Sequence, residues 1–193
     1  MDDGTALDIG CGSGSLAVLL AGHAESVVGI DISPALIFMA RERRRRNTLG
    51  NLAFLVADAE KLPFRVPSFD LVVSYGVLHH MDADCVLPKI DRLLKPGGTA
   101  VIFDYVASNP RLNASVAWQI ARALRSVPKH LESYGIRAAW RILLFRLSPG
   151  WLRHVCSDCF PTLEAFEGTF QSHFSSCRFR RYGGLIAAAW QSA

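Results

Sequence analysis

The length, composition and charge of the chain exclude several classes of protein. Its 193 residues are half apolar and one-fifth charged, which predicts one folded domain with its own core and excludes a disordered chain. No apolar run approaches the roughly 20 residues of a membrane span, and the acidic sequence after Met1 lacks the features of a secretory signal. The five cysteines are scattered and odd in number, which indicates reduced thiols and a cytoplasmic location.

Charge is divided unevenly along the sequence. Residues 1–110 hold 10 basic and 13 acidic side chains, and residues 111–193 hold 11 basic and 4 acidic ones, so the two parts carry net charges of −3 and +7. We therefore expect them to face different surroundings. Two basic runs dominate: one is Arg41–Arg46, and the other spreads eight basic residues over 111–153.

The first hundred residues alternate between strand and helix signals. Short apolar or β-branched runs predict five strands, at Thr5–Ile9, Ser26–Ile30, Leu52–Val56, Phe69–Ser74 and Thr99–Asp104. Between these strands, the sequence predicts a helix over Ser15–His23 and a second helix that begins at the Ser33-Pro34 cap and runs to about Leu49. A third helix is predicted over Asp82–Leu94, and Lys95-Pro96-Gly97-Gly98 is predicted to end it. Strands that alternate with helices predict a parallel sheet with right-handed crossovers.

The alternation of strand and helix signals stops beyond residue 110. Two apolar stripes at helical spacing predict amphipathic helices, one with Val116, Ile120, Leu124 and Val127, the other with Ile136, Trp140, Leu143, Leu144 and Leu147. Pro161-Thr162 is predicted to open another helix that runs to about Phe174. Gly183-Gly184 separates two predicted strands, Ser175–Tyr182 and Leu185–Trp190, so the chain is expected to end in an antiparallel hairpin.

The strongest functional signal is the glycine-rich run Leu7–Gly14, between a predicted strand and a predicted helix. Glycines permit a tight turn there and leave the helix N-terminus open to a ligand. Asp31 closes the second strand, where an acidic residue in such sheets accepts hydrogen bonds from ribose hydroxyls. The pattern departs from the dinucleotide fingerprint, which needs glycine where Ser15 stands. The run therefore predicts a nucleotide-type ligand and disfavours an NAD-dependent oxidoreductase.

Six motifs in this order resemble the class I S-adenosylmethionine-dependent methyltransferases, specifically the small-molecule branch with ubiquinone- and sterol-type members. The motifs are Leu7–Gly14, Gly29–Ser33, Ala57–Phe64, Phe69–Ser74, Val77–His80 and Leu93–Gly98. The resemblance implies an α/β fold with a Rossmann-like doubly wound sheet, of strand order 3-2-1-4-5-7-6, with strand 7 antiparallel and a helical lid inserted after strand 5. It is specific for the cofactor, S-adenosyl-L-methionine, and not for the methyl acceptor.

The resemblance also implies which residues bind the cofactor. Asp8 and the glycine loop would hold its methionine part, Asp31 its ribose, and Asp58 its adenine amino group. The full implied set is Asp8, Gly10, Cys11, Gly12, Ser13, Gly14, Asp31, Ile32, Asp58, Ala59 and Ser74.

Two histidines are the candidate catalytic residues. His79 and His80 follow the fourth strand, and either is a candidate base if the acceptor must lose a proton as it attacks. The alternative is that one contacts cofactor or substrate while the other caps or packs. Tyr75 and His79 are expected to line the substrate pocket, although Tyr75 would equally suit a packing role.

We expect residues 1–193 to form a single methyltransferase domain, with a cofactor-binding core at 1–106, a lid at 107–160, and a C-terminal helix and hairpin at 161–193. Three roles remain open for the arginines of the lid: attraction of an anionic acceptor, peripheral contact with anionic lipid, or simple solvation. In the lipid role, three tryptophans would lie at the membrane interface: Trp118, Trp140 and Trp151.

Two other signals are expected to carry no separate function. Cys156 and Cys159 lack the second cysteine pair that a structural zinc site needs, so no metal is expected. Arg41–Arg46 lies at the predicted C-terminal end of a helix, where cations are favourable, so we expect a solvated face and no nucleic-acid partner.

The predicted function is S-adenosylmethionine-dependent methyl transfer to a small, apolar or amphipathic acceptor. The alternative is a cofactor-binding protein that does not turn over on its own. The first strand begins about four residues from Met1, whereas the resembled enzymes carry a longer covering segment before it. We therefore expect the cover to be missing, supplied by a partner chain, or lost by N-terminal truncation. The sequence leaves the oligomeric state open.

Overall fold

The structure is a computed structural model that describes residues 4–109, 114–158 and 160–193. Its chain forms two compact units. The sheet unit comprises Met1–Val106 with Leu163–Ala193, and the helical unit comprises Ala107–Thr162.

The sheet unit contains seven strands. They are β1 (Thr5–Ile9), β2 (Ser26–Asp31), β3 (Leu52–Val56), β4 (Phe69–Tyr75), β5 (Leu94–Tyr105), β6 (Arg178–Tyr182) and β7 (Leu185–Gln191). Their order in the sheet is β3-β2-β1-β4-β5-β7-β6, with β1 to β5 parallel and β7 antiparallel to both of its neighbours. The predicted fold class and strand order are confirmed.

Seven α-helices accompany the strands in the described ranges. They are α1 (Ser15–Leu20), α2 (Pro34–Arg46), α3 (Ala83–Leu93), α4 (Val116–Arg125), α5 (Val127–Arg146), α6 (Pro149–Ser157) and α7 (Leu163–His173). Two short 3₁₀ turns lie at Ala59–Lys61 and Leu78–His80. Helix α2 begins as predicted, because the Ser33 hydroxyl accepts the Leu36 N–H at 3.3 Å and Pro34 occupies the first helical position.

Two hydrophobic cores form because successive strand residues point to opposite faces of the sheet. Leu7 and Ile9 of β1 enter one core, which also contains residues of α3 and α7. Ala6 of the same strand enters the other core, which contains residues of α1 and α2. This alternation buries the central strands on both faces of the sheet. Because these strands are parallel, their carboxyl ends lie at one edge of the sheet.

The predicted ends of two helices are wrong. Helix α1 ends at Leu20 and not at His23. Helix α2 ends at Arg46 and not near Leu49, because Asn47 caps it and Thr48 adopts a left-handed conformation with φ 51°. The Arg44 Nε also donates to the Leu49 carbonyl at 3.0 Å, which stabilises the turn that replaces the last helical residues.

Helix α3 ends at Leu93, just before the run Lys95–Gly98, as predicted. The run itself lies within strand β5, which begins at Leu94 and not at Thr99. Leu94 pairs with Phe69 and Thr99 pairs with Leu71, so the four residues between them form an irregularity in the ladder. A Cβ at Gly98 would lie 2.8 Å from the Lys95 carbonyl oxygen, which explains the glycine. The predicted strand over Ser175–Tyr182 is also too long, because β6 begins at Arg178.

A carboxylate joins the amino ends of three strands. Asp70 Oδ2 accepts the Thr5 N–H at 2.8 Å and the Lys95 ammonium at 2.7 Å. The pKa of Asp70 is lowered to about 2, mainly by the hydrogen bond from Lys95 and then by that from the Thr5 backbone. The side chain therefore stays ionised and links β1, β4 and β5 at this edge.

The helical unit contains α4, α5 and α6. The two predicted amphipathic helices are present, and α6 is an element that the sequence pattern did not indicate. Gly135 interrupts α5 with φ 76° and ψ 170°, so this helix consists of two segments. Cys159, one of the two cysteines at which no zinc site is expected, lies outside the described residues. The placement of the helical unit as a lid stays a prediction. Within the described ranges, no helix is long and apolar enough to cross a membrane.

Replacement of Phe170 by alanine is expected to lower the free energy of unfolding by about 3–5 kcal/mol, because it opens a cavity in a well-packed core. The Phe170 side chain is fully buried, and its ring lies 4.7 Å from Phe166 and 5.9 Å from Trp190 between centroids. Urea denaturation measures the change. Phe38→Ala, at a residue that is 67% exposed, is the control and should change stability by less than about 0.5 kcal/mol.

Candidate functional site

A glycine loop connects β1 to α1. Gly10, Gly12 and Gly14 have φ values of 69°, 53° and 79°, which side-chain-bearing residues rarely adopt. A Cβ at Gly10 would lie 2.5 Å from Val77 Cγ1, and one at Gly14 would lie 2.5 Å from Phe54 Cζ. In contrast, no atom of the described residues lies within 4 Å of the Cβ position at Gly12. Gly10 and Gly14 are therefore tightly packed, whereas Gly12 between them faces open space.

Asp31 holds this loop against the end of β2. Its carboxylate accepts the Gly12 N–H at 2.9 Å and, through its other oxygen, the Ser33 N–H at 2.9 Å. The Cys11 N–H donates to the Ile30 carbonyl at 2.8 Å, which closes the same junction. Each carboxylate oxygen retains a second lone pair. Asp31 therefore shapes the loop and keeps acceptor capacity for ligand hydroxyls.

Asp8 is a buried acid beneath the loop. The residue is 1% exposed, and its Oδ2 atom has no hydrogen-bond partner among the described residues. Burial raises the pKa of Asp8 to about 7; a backbone hydrogen bond from Ala17 opposes this shift, and the nearby Asp31 carboxylate adds to it. A buried acceptor without a partner costs about 1–3 kcal/mol. A cationic or N–H-bearing ligand at this point would remove that cost.

Cys11 behaves as a packing residue of the loop. It is 8% exposed, and burial, with the nearby Asp8 and Asp31 carboxylates, raises its thiol pKa to about 12. The thiol is therefore neutral at physiological pH and does not act as a nucleophile. Its Sγ lies 3.0 Å from the position that a Cβ at Gly29 would take, which ties the loop to β2.

The predicted adenine-side residues lie at the ends of β2 and β3. Ile32 is 72% exposed, an unusual position for a large apolar side chain directly after a buried strand. The Ala57 N–H donates to the Asp31 carbonyl at 3.1 Å and joins the two strand ends. Asp58 caps the following 3₁₀ turn by accepting the Glu60 N–H at 2.9 Å, and Ala59 within that turn is buried.

Ser74 and Tyr75 end strand β4. Ser74 is 2% exposed and pairs in register with Ile9, so it lies beside the start of the glycine loop. Tyr75 is half exposed, and its ring centroid lies 5.9 Å from that of Phe103. The structure thus places one small buried hydroxyl and one exposed aromatic residue at the end of the central strand.

The two candidate histidines differ in their surroundings. The His79 side chain is 4% exposed, and its Nδ1 lies 2.7 Å from Asp104 Oδ1. Asp104 Oδ2 accepts the His79 N–H at 2.7 Å, and its Oδ1 also accepts the Tyr105 N–H at 2.7 Å. His80 is exposed, and its ring centroid lies 4.0 Å from that of His79. The buried pair of His79 and Asp104 is therefore fixed by three hydrogen bonds.

Asp104 is a site residue that the sequence reasoning missed. It is 1% exposed at the end of β5, next to the strand that carries Ser74. The available signal was an acidic residue inside an otherwise apolar strand pattern, at the carboxyl end where ligands of parallel sheets bind. An acid in such a position calls for a partner, and the histidine pair after β4 supplies it.

Residues 7–102, which carry the glycine loop and the residues after β2, β3 and β4, match the family model described as "Methyltransferase domain". The chain belongs to the class I methyltransferase family. The matched range contains every residue predicted to bind the cofactor, together with both histidines.

Two curated methyltransferases are similar to this chain. The 2-phytyl-1,4-naphtoquinone methyltransferase of Thermosynechococcus vestitus is 34% identical over 143 residues, which are 72% of this chain and 62% of that protein. The ubiquinone/menaquinone biosynthesis C-methyltransferase UbiE of Escherichia coli is 35% identical over 106 residues, which are 52% of this chain and 42% of that protein. The chain thus spans about half the length of the curated relatives it matches.

The fold of this chain also occurs in solved structures. A protein from Pyrococcus horikoshii superposes with a TM-score of 0.67 at 21% sequence identity, over 100% of this chain and 83% of that one. At this identity the likeness concerns the fold alone, and it agrees with the sheet order described above.

Replacement of Asp8 by asparagine is expected to stabilise the protein at about pH 8 and to have little effect at about pH 4. The pKa of Asp8 is about 7 in the folded state, above its unfolded value, so the folded state retains a proton that the unfolded state has lost. The free energy of unfolding therefore falls as pH rises from about 4 to 7. Removing the carboxylate should restore up to about 4 kcal/mol above that range.

Chemical denaturation at a series of pH values measures this effect. Asp70→Asn is the matched control with the opposite sign, because the pKa of Asp70 is lowered to about 2. Its contribution to stability is present above about pH 4 and is lost as pH falls through about 2, so this variant should be destabilised at about pH 8. A destabilised Asp8→Asn variant at that pH would contradict the raised pKa of this buried carboxyl group.

Proposed function

We propose that this methyltransferase transfers a methyl group from S-adenosylmethionine to a small apolar acceptor. The observation that carries the proposal is the buried Asp8 Oδ2 atom, which has no hydrogen-bond partner among the described residues and precedes a glycine loop whose central residue faces open space. The family match and the two relatives named as quinone methyltransferases support the same activity.

The residues at the carboxyl ends of β1 to β3 suit this cofactor. Asp8 would hold the methionine ammonium group, which would give its buried oxygen a cationic partner. The remaining lone pairs of Asp31 would accept the ribose hydroxyls, and the exposed Ile32 would lie against the adenine. The backbone at Gly12 leaves room for close approach of the ligand. When bound, S-adenosylmethionine supplies an activated methyl group on a sulfonium.

The His79–Asp104 pair would serve the acceptor. A ring carbon that gains a methyl group must also lose a proton, and a positioned histidine can take it. Asp104 would fix the tautomer and orientation of the imidazole ring and balance the positive charge that forms on it. Asp104 acts through His79 and is therefore a positioning residue in this proposal.

The acceptor class follows from the relatives. Both are named for quinones, which carry an apolar ring, and one is named as a C-methyltransferase. A reduced quinone is electron-rich at its ring carbons and is a suitable carbon nucleophile. We therefore assign a reduced, quinone-type aromatic ring as the acceptor and one of its carbons as the methylated atom.

Cofactor binding is expected to depend on Asp31. Asp31→Asn should weaken binding of S-adenosylhomocysteine by about tenfold to a hundredfold, because an amide cannot accept all the hydrogen bonds of the carboxylate. Calorimetry measures the affinity. Glu25→Gln is the matched control, since this exposed acid lies before the amino end of the same strand, and its affinity should equal that of the wild type. Tighter binding of NAD than of the sulfur nucleotide would overturn the cofactor assignment.

Methyl transfer is expected to depend on His79. With labelled S-adenosylmethionine and a reduced naphthoquinone, His79→Asn should lower kcat by about a hundredfold or more. Asp104→Asn should lower kcat and shift its pH profile, while binding of S-adenosylhomocysteine stays unchanged in both variants. His23→Asn, at an exposed histidine of the same unit, is the control. A wild-type kcat in the His79 variant would exclude His79 as the base. If the wild-type protein binds the cofactor but transfers no label, the alternative of a cofactor-binding protein without turnover is favoured.

A further inference from the structure

The second segment of α5, after the break at Gly135, presents an apolar stripe to solvent. Ile136, Trp140 and Leu144 follow one another at four-residue spacing and are 65%, 56% and 64% exposed. They share one face of the helix and extend over about 12 Å. We call these three residues the α5 stripe.

The same segment also has a buried apolar face. Ala139 and Leu143 are 2% and 9% exposed, and they lie one residue before Trp140 and Leu144 on the helix. The helix therefore carries two apolar faces, and only one of them is buried. Three large side chains in a continuous row are more than the single exposed apolar residues normal for a protein surface. A row of this kind is typical of a contact surface.

Basic residues border the α5 stripe. Arg137 and Arg141 each follow a stripe residue directly and are exposed. The helical unit as a whole carries eight basic and two acidic residues, so its net charge is +6. This charge favours an anionic partner.

Other aromatic side chains of the helical unit are also exposed. Phe145, next to Leu144, is 58% exposed, and its ring centroid lies 4.8 Å from that of Trp151. On α4, the Arg125 guanidinium lies 5.2 Å from the centroid of the partly exposed Trp118 ring. Tryptophan and arginine side chains combine an apolar body with a polar end, which suits the boundary between lipid and water.

We infer that the α5 stripe docks on the surface of an anionic lipid bilayer, with its apolar side chains among the headgroups and its arginines against lipid phosphates. Helices that lie on membranes have an apolar face bordered by basic residues, as this segment does. A second copy of the chain fits less well, because two such surfaces would bring arginines of like charge together. The inference is independent of the proposed methyl transfer, since it uses only the helical unit.

Vesicle co-sedimentation of the whole chain tests the inference. The wild type should bind vesicles of phosphatidylcholine with phosphatidylglycerol, and bind vesicles of phosphatidylcholine alone much more weakly. High salt should weaken binding to the anionic vesicles, because it screens the basic residues. Binding should be unaffected by S-adenosylhomocysteine, which separates this result from the outcome of the activity assays.

Two double variants separate the charge and the apolar contributions. Arg137→Gln with Arg141→Gln should lower the affinity for anionic vesicles about twenty-five-fold, at about fivefold for each basic residue near the surface. Trp140→Ser with Leu144→Ser should lower it by about tenfold or more, because the inserted apolar area is lost. All four residues are exposed, so thermal denaturation should show folded variants.

Matched controls come from helix α2, which also exposes apolar and basic residues. Phe38→Ser and the double change Arg45→Gln with Arg46→Gln should leave vesicle binding unchanged. Equal, negligible binding of the wild type to both kinds of vesicle would overturn the inference. So would loss of binding in the α2 variants alone, or concentration-dependent dimerisation that Trp140→Ser abolishes without any vesicle binding.

Discussion

The hydrogen bonds that Asp31 accepts from two backbone N–H groups are the interaction on which the site depends. One comes from Gly12 in the loop after β1 and the other from Ser33 at the start of α2. A single carboxylate thereby sets the path of the glycine loop, the end of β2 and the beginning of the next helix. Together with the hydrogen bond from the Cys11 N–H to the Ile30 carbonyl, this carboxylate fixes the left-handed turn at Gly12 relative to the second strand.

Two buried acids at the same edge of the sheet, Asp104 and Asp8, differ in how far their carboxylate oxygens are hydrogen-bonded. Asp104 is fully partnered by the His79 ring and by the backbone N–H groups of His79 and Tyr105. Asp8 retains one oxygen without a partner among the described residues. A satisfied acid stabilises the local structure, whereas an unsatisfied one costs stability unless a ligand completes it. The contrast separates the acid that positions a side chain from the acid suited to contact a ligand.

Much of the fold could be predicted because its signals are local. Strand runs, the Ser33 cap and the glycine loop each occupy a few consecutive residues, and the resemblance supplied the strand order. Two of the missed features depend on distant contacts. Asp104 meets His79 only through the register of β4 and β5, and the irregularity after Leu94 depends on pairing with Phe69. The end of α2 is a local feature that the helix pattern did not predict: Asn47 caps the helix, and the Arg44 side chain donates forward to the Leu49 carbonyl.

The Asp70 junction has a mechanical consequence for the site. Asp70 binds Thr5 and Lys95 at the amino ends of the central strands, while Asp104 and Asp31 bind partners at their carboxyl ends. Sliding one strand past its neighbour would therefore break charge-assisted hydrogen bonds at both edges. The central sheet resists sliding of its strands because these hydrogen bonds hold it at both edges. We therefore expect the strand-end carboxylates to keep their positions when a ligand binds, and any change of shape to occur in the connecting loops.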